Sequence, residues 1–394
     1  MSTNLDERDR RWGLLNDSMR EHSMDCLIFA ANDYRGHKGA LRYVTDYNLF
    51  HRSGNAVMFK NEEPIVVLSG SLAGSRRPTT DWVADYRFPG TIAQGLVDAF
   101  SGRKNVKRVG IVGFGQIMKV DEYLALTEGL PGIEFFDYTA NFEKIRVVKS
   151  PEEIIGVEES AYVLDQCFTR LLEIARPGVT EREIGAEMYR VGYKLGGEDP
   201  LFLTMYTENL HDGVSASFAP PRGRELNAHD LHTFSFEIVG PRGYWTELSR
   251  MVTFATPHDD DVRMARAVSK GITAAAAAMK PGTSPNAVQQ SVLAAIESEG
   301  AVSSYWSGHS LGLDVLEQPW IGLDVVEDDG GQASDIIEVG NVFTIHPMVV
   351  DQVKKRSGYM SDTFVIESDG ARKLSEFSTA LHCLTKGNVN VIDY

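Results

Sequence analysis

Along the first ~150 residues, short apolar runs alternate with stretches of helical period. The runs "DCLIFAA" (25–31), "NAVMFK" (55–60), "EPIVVLS" (63–69) and "RVGIVGF" (108–114) are bounded by turn residues, which predicts strands of an α/β layer. Between them, "IAQGLVDAFSG" (92–102) and "VDEYLALTEGL" (120–130) carry helical spacing, and the first ends at a glycine. The pattern changes at "KIRVVKSPEEI" (144–154), where a basic, strand-like segment meets Ser150, Pro151 and Glu153. Serine as N-cap, proline at the first helical position and glutamate three residues on predict the start of a long helix through "VEESAYVLDQCFTRLLEIA". The domain boundary is placed here, giving domains 1–148 and 149–394.

The second domain contains an echo of itself. "ARPGVTEREIGAEMYRVGYKLGG" (175–197) and "MKPGTSPNAVQQSVLAAIESEG" (279–300) each read Pro-Gly, a capping hydroxyl, then an amphipathic helix closed by glycine. Thr180 has Glu183 at the capping-box position, and Ser284 is followed by Pro285. Two such units, each followed by strands, predict a pseudo-twofold α+β domain. "AAAAA" (274–278) reads as helix interior and "EDDGG" (327–331) as a solvated turn.

Composition narrows the partners. The formal net charge of -16 disfavours nucleic acid and anionic membrane, which require excess Lys and Arg. No apolar run reaches the ~18 residues of a membrane span, and the polar start "MSTNLDERDRRWG" lacks a secretory-type apolar segment. Cys26, Cys167 and Cys383 are scattered and make no CxxC pair, so reduced, buried thiols in a cytoplasmic protein are expected. Gly113 and Gly115 lack the third glycine of a dinucleotide-binding loop.

Five further blocks follow one another in order: "RVVKSPEEI", the twin Pro-Gly helices, "SFEIVGPRGYWTELSR", "SGHSLGLDVLEQP", and then "VGNVFTIHPMVV" with "GYMSDTFVIESDG". Over roughly residues 145–385 this resembles the family of creatinase, prolidase, aminopeptidase P and methionine aminopeptidase, with the pita-bread fold. The region before 145 is similar to the N-terminal domain of creatinase and prolidase. The resemblance implies an α+β protein of two domains, an N-terminal creatinase/prolidase-like α/β domain and a C-terminal pita-bread catalytic domain.

In metal-dependent members of that family, two Asp on a hairpin, one His in the "GH" block and two Glu on the last strands clasp two divalent ions. Set against that pattern, the hairpin here offers Glu237 and Glu247, with Glu237 in register only if the loop is one residue short. His309 matches by identity, His346 stands where the family reads Glu-Pro, and Ser361 replaces the last Glu. The family's loop histidine falls on Ser217 or Phe218, with His211 out of register, and the second histidine of the "GH" block falls on Leu316. Creatinase, which uses no metal, retains the loop histidine and a final-strand Glu, so this chain departs from it as well.

Two Glu and two His supply half the carboxylates that a two-ion centre needs, and suit one transition-metal ion or a metal-free acid–base pair. A merely structural buried polar network is the third reading, disfavoured by the cost of burying four ionisable groups. The expected activity is hydrolysis of a C–N bond, other than a standard peptide, in a small carboxylate-bearing molecule. His309 and His346 are assigned proton transfer; Glu237 and Glu247 orient water or hold a cationic nitrogen. No cofactor is expected, with one divalent transition-metal ion, held by Glu237, Glu247, His309 and His346, as the alternative. Candidate substrate contacts are Trp306 as a pocket wall, one of Tyr244 and Trp245 by strand alternation, and Arg250, whose alternative is a plain salt bridge. "TDYNLFHRSGNAVMF" (45–59) resembles the creatinase segment that reaches a neighbour's active site, so a homodimer is expected in which His51 and Arg52 bind a substrate carboxylate across the interface. Rival functions are a metal-dependent Xaa-Pro dipeptidase or aminopeptidase, a lyase on the same scaffold, and a non-catalytic binding protein.

Overall fold

The computed structural model describes residues 4–69, 80–209, 218–323, 335–351, 353, 356–385 and 388–392. The chain forms two compact units, residues 1–146 and 147–394.

The first unit runs α1 Leu5–Glu21, β1 Cys26–Asn32, α2 Gly39–Thr45, β2 Ser53–Phe59, β3 Ile65–Leu68, β4 Asp85–Arg87, α3 Ile92–Ala99, β5 Arg108–Val112, α4 Val120–Gly129, β6 Glu134–Asp137 and α5 Thr139–Arg146. Its sheet has the order β4-β3-β2-β1-β5-β6. The β1–β2 and β2–β3 pairs are antiparallel and the rest parallel. The continuous apolar runs became strands because both faces are covered: Cys26, Ile28 and Ala30 on β1 pack with Leu96 and Leu126 of the helices. The basic segment at 144–150 is not a strand. Lys144 and Arg146 close α5, where cations complement the helix C-terminus, and residues 147–150 are irregular.

The second unit begins with α6 Pro151–Ile174 and α7 Glu181–Lys194, followed by β7 Glu198–Asn209, β8 Asp230–Val239 and β9 Trp245–Thr253. The echo follows: α8 Asp259–Ala278 and α9 Pro285–Glu297, then β10 Val302–Ser303, β11 Trp306–Ser310, β12 Glu317–Gly322, β13 Val342–Ile345, β14 Met348–Asp351, β15 Arg356–Tyr359, β16 Asp362–Glu367, β17 Gly370–Lys373, β18 Leu381–Thr385 and β19 Asn388–Ile392. Capping boxes close at Ser150 with Glu153 and at Thr180 with Glu183, and Ser284 caps α9. The "EDDGG" segment lies outside the described residues.

Two sheets carry the site, ordered β19-β18-β9-β8-β7 and β12-β11-β13-β16-β17. Phe168, Leu171, Ile184 and Met188 of α6 and α7 pack on Phe234, Phe236 and Leu248 of the first. Met264, Val268, Val288 and Val292 of α8 and α9 pack on Phe343, Ile345 and Phe364 of the second. Strand alternation then forces the intervening residues to the opposite faces: Ser235, Glu237 and Glu247 on one sheet, Thr344 on the other. A hydrogen bond from Thr344 to Glu247 shows that these two polar faces meet. Cys26, Cys167 and Cys383 are free and buried, and burial pushes the Cys167 thiol up to about 12, so it stays protonated. Among the described residues no helix is long and apolar enough to cross a membrane.

Candidate active site

The β8–β9 hairpin turns through Gly240 and Gly243, the latter at φ 84, which favours glycine. Its register sets Glu237 directly opposite Glu247. Like charges facing each other across a ladder repel, so the pair requires donors or cations. Glu247 has them. Its Oε1 accepts from Ser235 Oγ at 3.2 Å and Tyr359 OH at 3.0 Å, and its Oε2 accepts from Thr344 Oγ1 at 3.2 Å. Burial alone would raise the pKa of this carboxylate. The His346 and His309 imidazoles, with the Tyr359 and Ser361 hydroxyls beside it, instead hold it below the usual range. Tyr359 is shifted well upward by its own burial and by the Glu247 and Glu237 charges, and stays a neutral donor.

The two histidines come from adjacent strands of the second sheet. His309 on β11 pairs with Thr344 on β13, and His346 follows β13, its amide bonded to the Ser307 carbonyl. Their rings lie 5.1 Å apart. His309 Nδ1 lies 2.9 Å from the Ser310 carbonyl, so this nitrogen carries the proton and Nε2 the lone pair of the neutral ring. His346 Nε2 is 4.0 Å from Glu247 Oε2. Ligand atoms of Glu247, His309 and His346 all fall within 4.8 Å of one another, and all three residues are buried. Trp306 stacks edge-on against His346 at 5.3 Å and Trp320 at 5.0 Å, and so walls the histidine pair.

Gly308 permits this approach. A Cβ there would come 2.2 Å from the Thr344 carbonyl, a backbone atom that no side-chain rotation relieves. Gly308→Ala is therefore expected to part β11 from β13, with a stability loss of about 1–3 kcal/mol. Denaturant melts of the variant check this; an unchanged midpoint would show that the strands have slack.

The other expected residues fall elsewhere. Glu237 shares the face but is outside the converging three. Arg250, expected at the substrate, is fully buried and turned the other way. Its five N–H groups go to Asp362 and to the carbonyls of Ser249, Ser361, Phe377 and Ser378. Tyr244 precedes β9 rather than alternating within it; its hydroxyl donates to Glu153 and its ring packs on Gly156 of α6. Trp245 lies in the core beneath α6 and α7, so neither aromatic faces the centre. His51 and Arg52 are exposed on a turn of the first unit, where the Arg52 amide donates to Asp33 and Arg52 sits at φ 64.

Ser361 is buried on the bridge to Ser249, and Leu316 lies on the surface with 40% of its area exposed. Phe218 stacks on Tyr359 at 4.8 Å, filling with an apolar ring the place where a histidine was sought; His211 and Ser217 lie outside the described residues. Sequence reasoning passed over Tyr359, Thr344 and Ser235. Each stands two positions from a residue already singled out (Ser361, His346 and Glu237), and that period would have found them.

Residues 156–368 match the model of metallopeptidase family M24, and residues 11–148 that of the creatinase/prolidase N-terminal domain. The chain is similar to the uncharacterized peptidase YqhT of Bacillus subtilis (strain 168), 26% identical over 269 residues that span 67% of this chain and 72% of the relative. Its structure resembles the prolidase from Pyrococcus horikoshii OT3, with a TM-score of 0.76, 17% identity, and coverage of 93% of this chain and 98% of that one. It also resembles the Xaa-Pro dipeptidase from Bacillus anthracis, with a TM-score of 0.77, 17% identity, and coverage of 96% and 100%. At these identities the structural likenesses speak for the two-domain pita-bread fold.

Proposed function

The chain belongs to metallopeptidase family M24, and from that premise we propose that it hydrolyses a carbon–nitrogen bond in a small carboxylate-bearing substrate. The observation that carries this reading is the convergence of Glu247, His309 and His346 beside Trp306. A two-ion centre does not fit the residues present, because Ser361 offers no carboxylate and Glu237 stands outside the cluster. Three donors do fit one ion. Glu247, His309 and His346 would hold a divalent transition-metal ion, which would supply Lewis acidity at the scissile carbonyl or amidine.

The protein groups divide the remaining work. Glu247, held ionised, stabilises positive charge on its imidazole neighbours. Where no ion is bound, His309, with Nδ1 anchored on a backbone carbonyl, presents Nε2 to take up a proton from the attacking water. In that metal-free arrangement His346, between Glu247 and Trp306, returns a proton to the leaving nitrogen. Glu237, opposite Glu247, holds a cationic nitrogen of the substrate or orients the water. The carboxylate is anchored by Arg52 of a second copy of the chain, with His51 beside it, in a homodimer.

A second reading, in which the small substrate is an Xaa-Pro dipeptide, draws on the likeness to prolidases and Xaa-Pro dipeptidases across nearly the whole chain. A screen of small amides, guanidino acids and Xaa-Pro dipeptides separates the two, with products identified by mass. Uptake of one water is the expected result. Mass-neutral cleavage would point to elimination, and binding without turnover to a non-catalytic role; either outcome would retire hydrolysis.

A further inference from the structure

The bonding capacity of Glu247 carries a sharper conclusion about the same centre. An ionised carboxylate offers about four lone-pair positions. Three are occupied in Glu247: Ser235 and Tyr359 take both on Oε1, and Thr344 takes one on Oε2. Oε2 carries the one bond from Thr344 and is the oxygen that lies 4.0 Å from His346 Nε2. That separation is too long for a direct hydrogen bond. Two ligands of one tetrahedral ion at about 2.1 Å lie roughly 3.4 Å apart, so a small closure brings the pair to that spacing.

Charge agrees with the geometry. One carboxylate and two neutral imidazoles balance half the charge of a single divalent ion, an ordinary arrangement for a transition metal. A second ion would need a carboxylate bridging through both oxygens and another where Ser361 stands. Glu247 has no lone pair on Oε1 to bridge with.

We infer that Glu247, His309 and His346 bind one divalent transition-metal ion rather than two, and that the Tyr359 hydroxyl, by holding Glu247 Oε1, keeps the carboxylate monodentate. Tyr359 is a positioning residue: it acts through Glu247. Its ring is wedged against Phe218 at 4.8 Å and lies 5.9 Å from His346, so its hydroxyl is fixed in place. The chain also explains why Tyr359 is there. It ends β15, and two residues later Ser361 bridges to Ser249 on β9, which draws this crossing strand over Glu247.

The inference rests on the three residues being the working centre, but its test needs no substrate. Full-length protein, stripped with chelator, is titrated with cobalt(II) and followed by calorimetry and visible absorption. One cobalt per chain is expected, lost in Glu247→Gln and retained in Glu237→Gln. Tyr359→Phe should keep the ring packing and the stoichiometry of one, while freeing Oε1 to bind. The coordination number then rises and the visible band weakens severalfold. Tyr359→Met serves where the phenylalanine variant fails to fold. Two cobalt ions per chain, none, or equal damage from Glu237→Gln and Glu247→Gln overturns the one-ion site. A Tyr359→Phe spectrum identical to wild type overturns the role of the tyrosine. Failure of the substrate screen leaves these outcomes readable, and a metal-free result leaves hydrolysis open to the histidines alone.

Discussion

His309→Ala is expected to lower kcat by ~10²–10⁴-fold on whichever substrate the screen yields, with KM and fold little changed. The reason is the way the ring is held. Nδ1 is tied to the Ser310 carbonyl, and one edge meets His346 at 5.1 Å and Trp320 at 5.1 Å. The ring is thus oriented by its surroundings. His309→Asn should rescue little, because an amide can replace a hydrogen bond but does not exchange protons near neutral pH. A ligand role and a proton-transfer role separate in the same variant. If the imidazole only binds an ion, cobalt is lost and added metal restores part of the rate. If it moves the proton, metal content survives and the rate does not return. A histidine that merely packs would show itself by a lower melting temperature with full activity per folded molecule. An unimpaired kcat in a well-folded His309→Ala protein would end the catalytic reading.

The elements around this centre were legible to different degrees, and the reasons are physical. The helix starts at Ser150 and Thr180 could be read because a capping box is a local signal: the two side chains bond the backbone three residues away. The paired Pro-Gly helices were readable for the same reason. Helix α5 was misread because "KIRVV" has apolar spacing that suits a strand, while its partners, such as Phe142 against Phe29 and Tyr43, lie far off in sequence. At the site, His309 and His346 were found from their blocks, and the condition on Glu237, in register only with a loop one residue short, was the local sign that it would stand outside the cluster. Tyr359 was missed because it lies on β15, in a sheet with β10 and β14, and reaches Glu247 only through the crossing at Ser361. Arg250 illustrates the opposite error. Its neighbours in sequence, Glu247 and Ser249, face the centre, and the period of two sends Arg250 away from them.

That misassigned arginine carries the largest expected effect on stability. Arg250→Met should destabilise the second unit by about 3–5 kcal/mol, the cost of breaking a buried pair by removing one partner. Both side chains of the Arg250–Asp362 pair have no exposed area, and they meet at 2.7 Å. Methionine would leave the Asp362 carboxylate with Thr379 as its remaining named donor, and four carbonyls without their guanidinium bonds. For a unit of this size the loss amounts to a fall in melting temperature of roughly 6–20 °C. The double variant Arg250→Met/Asp362→Leu should recover part of it, since an apolar pair leaves no uncompensated charge. Thermal and urea melts of the two single variants and the double one form a cycle whose coupling energy isolates the pair. Arg250→Lys sharpens the contrast with a substrate role: one ammonium has three donors where the guanidinium uses five, so stability should fall there too. A melting temperature within a degree of wild type, together with a raised KM, would restore Arg250 to the substrate. The link to the site is direct, because the same guanidinium bonds the Ser361 carbonyl and so holds the crossing strand that carries Tyr359 to Glu247. In Arg250→Met protein that still folds, the cobalt spectrum should therefore shift toward that of Tyr359→Phe.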